Sequence, residues 1–199
     1  SRTLVFAFVG DEETSMNTTR LIAKHPWVKD AEFAINTDAG GGILDETTGK
    51  PLIYLVQGAE KTYATFDVVV TNPGGHSSRP RADNAIYQLA RALEKIEAHR
   101  FPVMATELTR SYLGAVGKAQ SGPVGEALRK FSADPNDAGA ADVLAQSWEF
   151  VGTTRTTCVA TMLEAGHAEN ALPQTAKAAV NCRIFPGVAV EAVRDALVA

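Results

Sequence analysis

Cysteine is almost missing from this chain. The two present in 199 residues, Cys158 and Cys182, are too few for a disulfide framework. Each sits in a strand-like segment, where a buried thiol packing as a small hydrophobe is the expected state. Also missing is any run of lysine and arginine, and the net charge of -4 is mildly acidic. Both facts argue against nucleic acid or an anionic membrane as a dedicated partner. No apolar window approaches a membrane span. The chain opens on an apolar run rather than on a charged segment followed by a signal region, so it reads as cut inside a domain and is silent about compartment. The lack of internal repeats and low-complexity tracts excludes a solenoid or a disordered arm. What is left, 45% apolar and 21% charged residues, describes a globular chain of one or two domains able to bury a core.

The most informative residues that are present are carboxylates. Thr3 to Val9 is a nearly unbroken apolar run rich in β-branched and aromatic residues, short enough for a strand covered on both faces, and it is followed by Gly10, Asp11, Glu12 and Glu13. A second apolar run, Ala31 to Thr37, ends at Asp38 and the glycines Gly40, Gly41 and Gly42. Two neighbouring parallel strands would carry Asp11, Glu12, Glu13 and Asp38 to one rim, the place where α/β sheets do chemistry. Such a rim suits a hard or borderline cation.

Residues 1 to about 60 therefore read as strand, helix, strand, then a hairpin around residues 45–50 leading into Leu52 to Gln57. A strand over Thr65 to Thr71 runs into the turn-rich loop from Asn72 to Pro80. Asp83 to Ala98 then carries Ala85, Ile86, Leu89, Ala92, Leu93 and Ile96 at helical spacing, ending before Pro102. Residues 103–155 show helical stretches at Pro123 to Phe131 and Ala138 to Phe150 without a decipherable motif. They read as an elaboration between helix and sheet. Strands over Thr157 to Leu163 and Ala176 to Phe185 flank a loop from Glu164 to Thr175, and Val190 to Val198 starts a helix. The order β, α, elaboration, β, β, α lacks one strand of a split βαββαβ unit.

Five motifs give these residues a resemblance: Gly10-Asp11-Glu12-Glu13; Asn36 to Gly41; Ala59-Glu60-Lys61; Pro73-Gly74-Gly75-His76-Ser77-Ser78-Arg79-Pro80; and Asn170-Ala171-Leu172-Pro173 with Arg183 thirteen positions on. In order and spacing they are similar to the M20 metallopeptidases, most of all to the branch of aminoacylases and carboxypeptidase S-like enzymes. The resemblance implies an α/β catalytic-domain fragment (phosphorylase/hydrolase-like) over 1–60. Over 61–199 it implies an α+β ferredoxin-like (split βαββαβ) dimerisation domain with a helical elaboration, its last strand missing. It implies a homodimer holding two zinc ions per active site and cleaving a peptide or N-acyl amino acid with a free carboxylate.

Under that resemblance Glu12 is the general base for a metal-held water, and Glu13 and Asp38 are ligands to the two zincs. Asp11 either supports the site from behind or caps the following turn. His76 would stabilise the tetrahedral oxyanion of the partner's active site. Asn170 and Arg183 would bind the substrate's polar backbone and carboxylate. The family's upstream His-x-Asp pair, bridging aspartate and downstream histidine have no candidates here, so the chain is expected to be an internal fragment, inactive alone. The rival reading is a non-catalytic dimerisation module.

Each motif also has a plainer explanation. The acidic triplet could be a helix's first turn. His76 and Asn170 could serve only turns, and Arg183 could snorkel over a sheet. His25 and His99 read as helix C-terminal histidines, His167 as a solvent-exposed loop residue, and Asp67 as surface.

Overall fold

The computed structural model describes residues 3–36, 38 and 41–199. The described chain divides into two compact units, one ending at Gln57 and the other spanning Gly58–Ala199.

The first unit differs from expectation at its start. Residues 3–9 and 31–36 run without secondary structure, and Leu4, Phe6 and Phe8 are 77%, 78% and 88% exposed. Thr37, the expected end of the second strand, lies outside the described residues. The physical reason is that a strand exists only where a neighbour accepts its backbone hydrogen bonds. The first unit's one described sheet is a two-stranded hairpin elsewhere in the chain. Two short helices, α1 (Asn17–Ile22) and α2 (Pro26–Lys29), lie between these runs. His25 begins α2 instead of ending a helix, its Nδ1 accepting the Trp27 N–H. The hairpin forms where the sequence places it, as β1 (Gly41–Leu44) and β2 (Pro51–Leu55). Its turn is held by Asp45, whose carboxylate accepts from the Thr47 and Thr48 N–H groups and the Thr48 hydroxyl. The Thr48 hydroxyl first, then the Thr48 and Thr47 N–H groups, hold the Asp45 carboxyl below its ordinary range.

In the second unit, β3 (Thr62–Thr71) leads through β4 (Gly75–His76) to α3 (Ala85–Ala98). Then come α4 (Glu107–Ala119), α5 (Gly122–Ala133), α6 (Ala138–Ala145) and a 3-10 turn at Val151–Thr153. The chain continues as β5 (Thr157–Ala165), β6 (Ala171–Leu172), β7 (Thr175–Ile184) and α7 (Val190–Val198). The main sheet is antiparallel in the order β3-β7-β5, and a separate small ladder joins β4 to β6.

Alternation assigns the two faces of the main sheet. Ala176, Ala178, Val180, Cys182 and Ile184 of β7 are buried on one face. There they pack with Ala64, Phe66, Val68 and Val70 of β3, with Ala85, Leu89 and Leu93 of α3, and with Val193 of α7. The other face is open and carries Tyr63, Asp67, Lys177 and Arg183. Asp67 is a surface residue, pairing with Lys177 at 2.8 Å. α3 begins where Asn84 caps it, its side-chain oxygen accepting the Ile86 and Tyr87 N–H groups, and His99 ends it.

Residues 103–155 form a three-helix lobe with its own core: Leu113, Ala127, Leu128, Phe131, Ala140, Ala141, Leu144 and Phe150. The sequence reading missed α4, whose interior glycines lower helix propensity. Gly117 is required by packing: a β-carbon there would lie 2.9 Å from Leu128 Cβ and 3.1 Å from the Arg129 backbone nitrogen. The expected helix over Ala138 to Phe150 stops at Ala145.

The cysteines also depart from expectation. Register sets Cys158 directly opposite Cys182, their α-carbons 4.1 Å apart, and a disulfide joins them. The bridge replaces the free thiols expected from the sequence. Only strand pairing places two residues 24 apart side by side, and single-residue patterns do not encode pairing.

Candidate functional site

The acidic segment of the first unit is an exposed turn, with Glu12 and Glu13 both exposed. Asp11 resolves in favour of capping. Its carboxylate accepts the Asn17 and Thr18 N–H groups at 2.8 and 3.1 Å, together with the Ser15 and Thr18 hydroxyls. The Ser15 hydroxyl first, then the Thr18 hydroxyl and the two N–H groups, hold its carboxyl at about 2. Asp38 is exposed, and its N–H donates to Asn36 Oδ1 at 3.1 Å. Among the described residues no three His, Cys, Asp or Glu side chains come together as a group able to hold a metal ion. Glu13 and Asp38 are carboxylates of the kind zinc accepts.

The second unit assembles more. After β3, Asn72 ties the chain to the start of α3, its side-chain amide donating to the Asp83 carbonyl at 2.9 Å and to Gln88 Oε1 at 2.8 Å. Gly74 and Gly75 then adopt φ of 77° and 150°. A β-carbon on Gly74 would lie 2.7 Å from Gln174 Cγ and 3.2 Å from the Leu172 carbonyl, so glycine is what lets this loop lie against β6. That approach pairs Gly75 with Leu172 and His76 with Ala171. One residue further, the Ser77 N–H donates to the Asn170 carbonyl at 2.9 Å. His76 and Asn170, ninety-four positions apart, are thus brought to one loop cluster.

Around them Gly74, Gly75, His76, Ser78, Arg79 and Arg81 line an open groove. Arg81 is engaged by Asp83 through two bonds of 2.8 and 2.9 Å. That pairing lowers the Asp83 carboxyl below, and raises the Arg81 guanidinium above, their ordinary ranges. The His76 ring is held from one side: Ser78 supplies both its N–H, 3.2 Å from Nδ1, and its hydroxyl, 2.8 Å from Nδ1. Ser78 belongs to a motif visible in the sequence, but no periodicity announces its contact with the ring two residues earlier.

Arg183 is not part of that cluster. It pairs in register with Tyr63, whereas the His76 loop follows the Thr71–Thr175 end of the same ladder. Arg183 stands eight steps along the strand from Thr175, about 27 Å at ~3.4 Å per residue. Arg183 stacks over the Tyr63 ring at 4.8 Å. Beside it Lys61 is half-buried, and burial first, then the Arg183 charge, hold its ammonium below the ordinary lysine range. The sequence expectation grouped Asn170 with Arg183 as binders of one substrate. Within one protomer the sheet sets them at opposite ends.

Residues 58–199 match the family model described as the M20 peptidase dimerisation domain. The chain belongs to the M20 family, a family of metallohydrolases.

Over 197 residues it is 28% identical to human N-fatty-acyl-amino acid synthase/hydrolase PM20D1, covering 93% of this chain and 37% of that protein. Over 201 residues it is 31% identical to the probable carboxypeptidase S-like 2 of Dictyostelium discoideum, covering 98% and 38%. The Xenopus tropicalis PM20D1 is 30% identical over 177 residues, covering 82% and 32%. The chain thus spans under two fifths of the length of these curated relatives.

Proposed function

We propose that these residues belong to a two-zinc M20 amidohydrolase that cleaves a peptide or an N-acyl amino acid bearing a free carboxylate. In this reading residues 58–199 form a two-fold dimer of split βαββαβ domains. The first unit is part of the catalytic domain, with Glu12 as general base and Glu13 and Asp38 as zinc ligands completed by residues with no counterpart in this sequence. Zinc, when bound, supplies an activated water. The chain's own share is to take and pass on that water's proton at Glu12, to donate a hydrogen bond to the developing oxyanion from His76, and to hold the substrate through Asn170 and Arg183.

One observation carries the reading: His76 and Asn170 share a loop cluster at one end of the sheet while Arg183 lies at the other. No small amide could touch both ends of a ladder about 27 Å long. A two-fold pair of sheets can present the His76 end of one protomer beside the Arg183 end of its partner. The strand order β3-β7-β5 and the helices on one face agree with three strands of a split βαββαβ sheet. The exposed apolar side chains of Leu4, Phe6 and Phe8 agree with a strand that needs neighbours. The rival is a dimerisation module without catalysis, for which residues 58–199, matched by the peptidase dimerisation domain, would suffice.

Complementation in the whole protein separates the two readings. His76→Ala and Glu12→Ala should each cost about 10²-fold or more in kcat. Mixing the two inactive proteins so that subunits exchange should restore about a quarter of wild-type activity, since half the dimers are mixed and each mixed dimer has one intact site. Recovery of none would mean that His76 serves its own protomer or no reaction. Zinc binding that is indifferent to Glu13→Ala would favour the non-catalytic module.

A further inference from the structure

We infer that Ser78 is a positioning residue: it fixes the His76 ring as the neutral tautomer protonated at Nε2 and aims that N–H into the groove. For its functional meaning this rests on the reading of His76 as an oxyanion donor, but the tautomer follows from local geometry. A backbone N–H can only donate. The Ser78 N–H lies 3.2 Å from His76 Nδ1, so Nδ1 receives it on a lone pair and, in a neutral ring, cannot carry the proton. The Ser78 hydroxyl at 2.8 Å from the same nitrogen is then the second donor. Two donors converge on Nδ1, the proton resides on Nε2, and the ring's free edge is a hydrogen-bond donor.

The backbone that delivers these donors is itself held. The β4–β6 ladder fixes His76 against Ala171, the Ser77 N–H is tied to the Asn170 carbonyl, and the Arg79 N–H closes the turn onto the His76 carbonyl at 2.9 Å. The imidazole therefore pivots on neither its backbone nor its Nδ1 side. A ring so held suits a donor that waits for charge to develop, because its reorientation has already been made during folding. It is unsuited to accept a proton through Nδ1 or to bind a metal there. The dependence runs through a residue that need not touch substrate, which is why Ser78 is a positioning residue and not a catalytic one.

The test reads the ring directly in this chain. Long-range proton–nitrogen correlation spectra of ¹⁵N-histidine-labelled protein at about pH 8.5, where an ordinary histidine is neutral, give the protonation of each ring nitrogen, and His76→Gln assigns the His76 signals among the four histidines. The expected result is a His76 ring protonated at Nε2 alone. In Ser78→Ala the Nδ1 resonance should move toward that of a freely solvated ring, because of the two donors only the backbone N–H of residue 78 is left. Ser78→Thr, which keeps the hydroxyl, should restore it. Amide signals of the main sheet and α3 should be the same in all three proteins, and if Ser78→Ala fails to fold, Ser78→Thr against Ser78→Val gives the same comparison. A proton on Nδ1 in the parent chain, or an Nδ1 resonance indifferent to loss of the hydroxyl, overturns the inference. In the whole protein Ser78→Ala should lower kcat about tenfold with little change in KM, the scale of one hydrogen bond, and Ser78→Thr should recover it. A fixed tautomer without a kinetic effect would leave the geometry standing and remove the oxyanion role.

Discussion

Reducing the Cys158–Cys182 bridge should be the most damaging chemical change available in the second unit that leaves its sequence intact. The bridge joins β5 to the central strand β7 and closes a loop with a sequence separation of 24. Chain-entropy arithmetic for a loop of that length gives about 12 cal/mol/K, or about 3.5 kcal/mol at 25 °C, by which the oxidised unfolded chain is disfavoured. Residues 58–199 should unfold with an entropy of roughly 0.3 kcal/mol/K, so the melting temperature should fall by about 12 °C. Cys182 is fully buried, so reductant added to the folded protein should act slowly. The comparison therefore needs protein unfolded with reductant, refolded, and followed by thermal denaturation beside the oxidised form. Reduction preserves both side chains, which removes the cavity term that Cys182→Ala would add. Midpoints within about 1 °C of each other would refute the reasoning. So would two reactive thiols in protein purified without reductant, since the bridge would then not exist.

Three further outcomes test the local physics. Asn84→Ala removes the acceptor for two N–H groups at the start of α3 and should cost about 1 kcal/mol in denaturant unfolding, whereas Asn84→Asp should cost little. Gly117→Ala drives a methyl into Leu128 and the α5 backbone and should destabilise by about 1–3 kcal/mol despite alanine's better helix propensity. The Asp11 carboxyl, held at about 2 by the groups it accepts from, is a depressed carboxylate. Its contribution is complete above the usual carboxylate range and is lost as pH falls through about 2. Carboxyl NMR should place its midpoint there, with the Asn17 and Thr18 amides shifting together, and a midpoint near 4 would contradict the cap.

Patterned local segments were legible in the sequence. The strand segments within β3 and β7, the helical spacing from Ala85 to Ile96 and the turn at residues 45–50 each encode their own structure, because a few adjacent residues decide it. α7 falls where its periodicity places it. The glycine-histidine loop and the Asn170 turn were legible as motifs, and the family they suggested is the one the chain belongs to. The runs at residues 3–9 and 31–36 form no strand in this chain because apolar composition reports a preference for burial, and burial needs a partner surface that composition cannot supply. α4 was missed for the opposite reason, since its Gly114 and Gly117 weaken the local signal while a neighbouring helix stabilises the element.

By itself, then, the sequence determined most of the second unit's strand and helix segments and which polar residues stand in loops, because those properties depend on neighbours within a few positions. Tertiary structure alone decided that Cys158 meets Cys182, that His76 lies beside Asn170, and that Arg183 stands at the far end of the same sheet. Each is a consequence of strand register, a choice made between segments distant along the chain and fixed by which faces must be buried together.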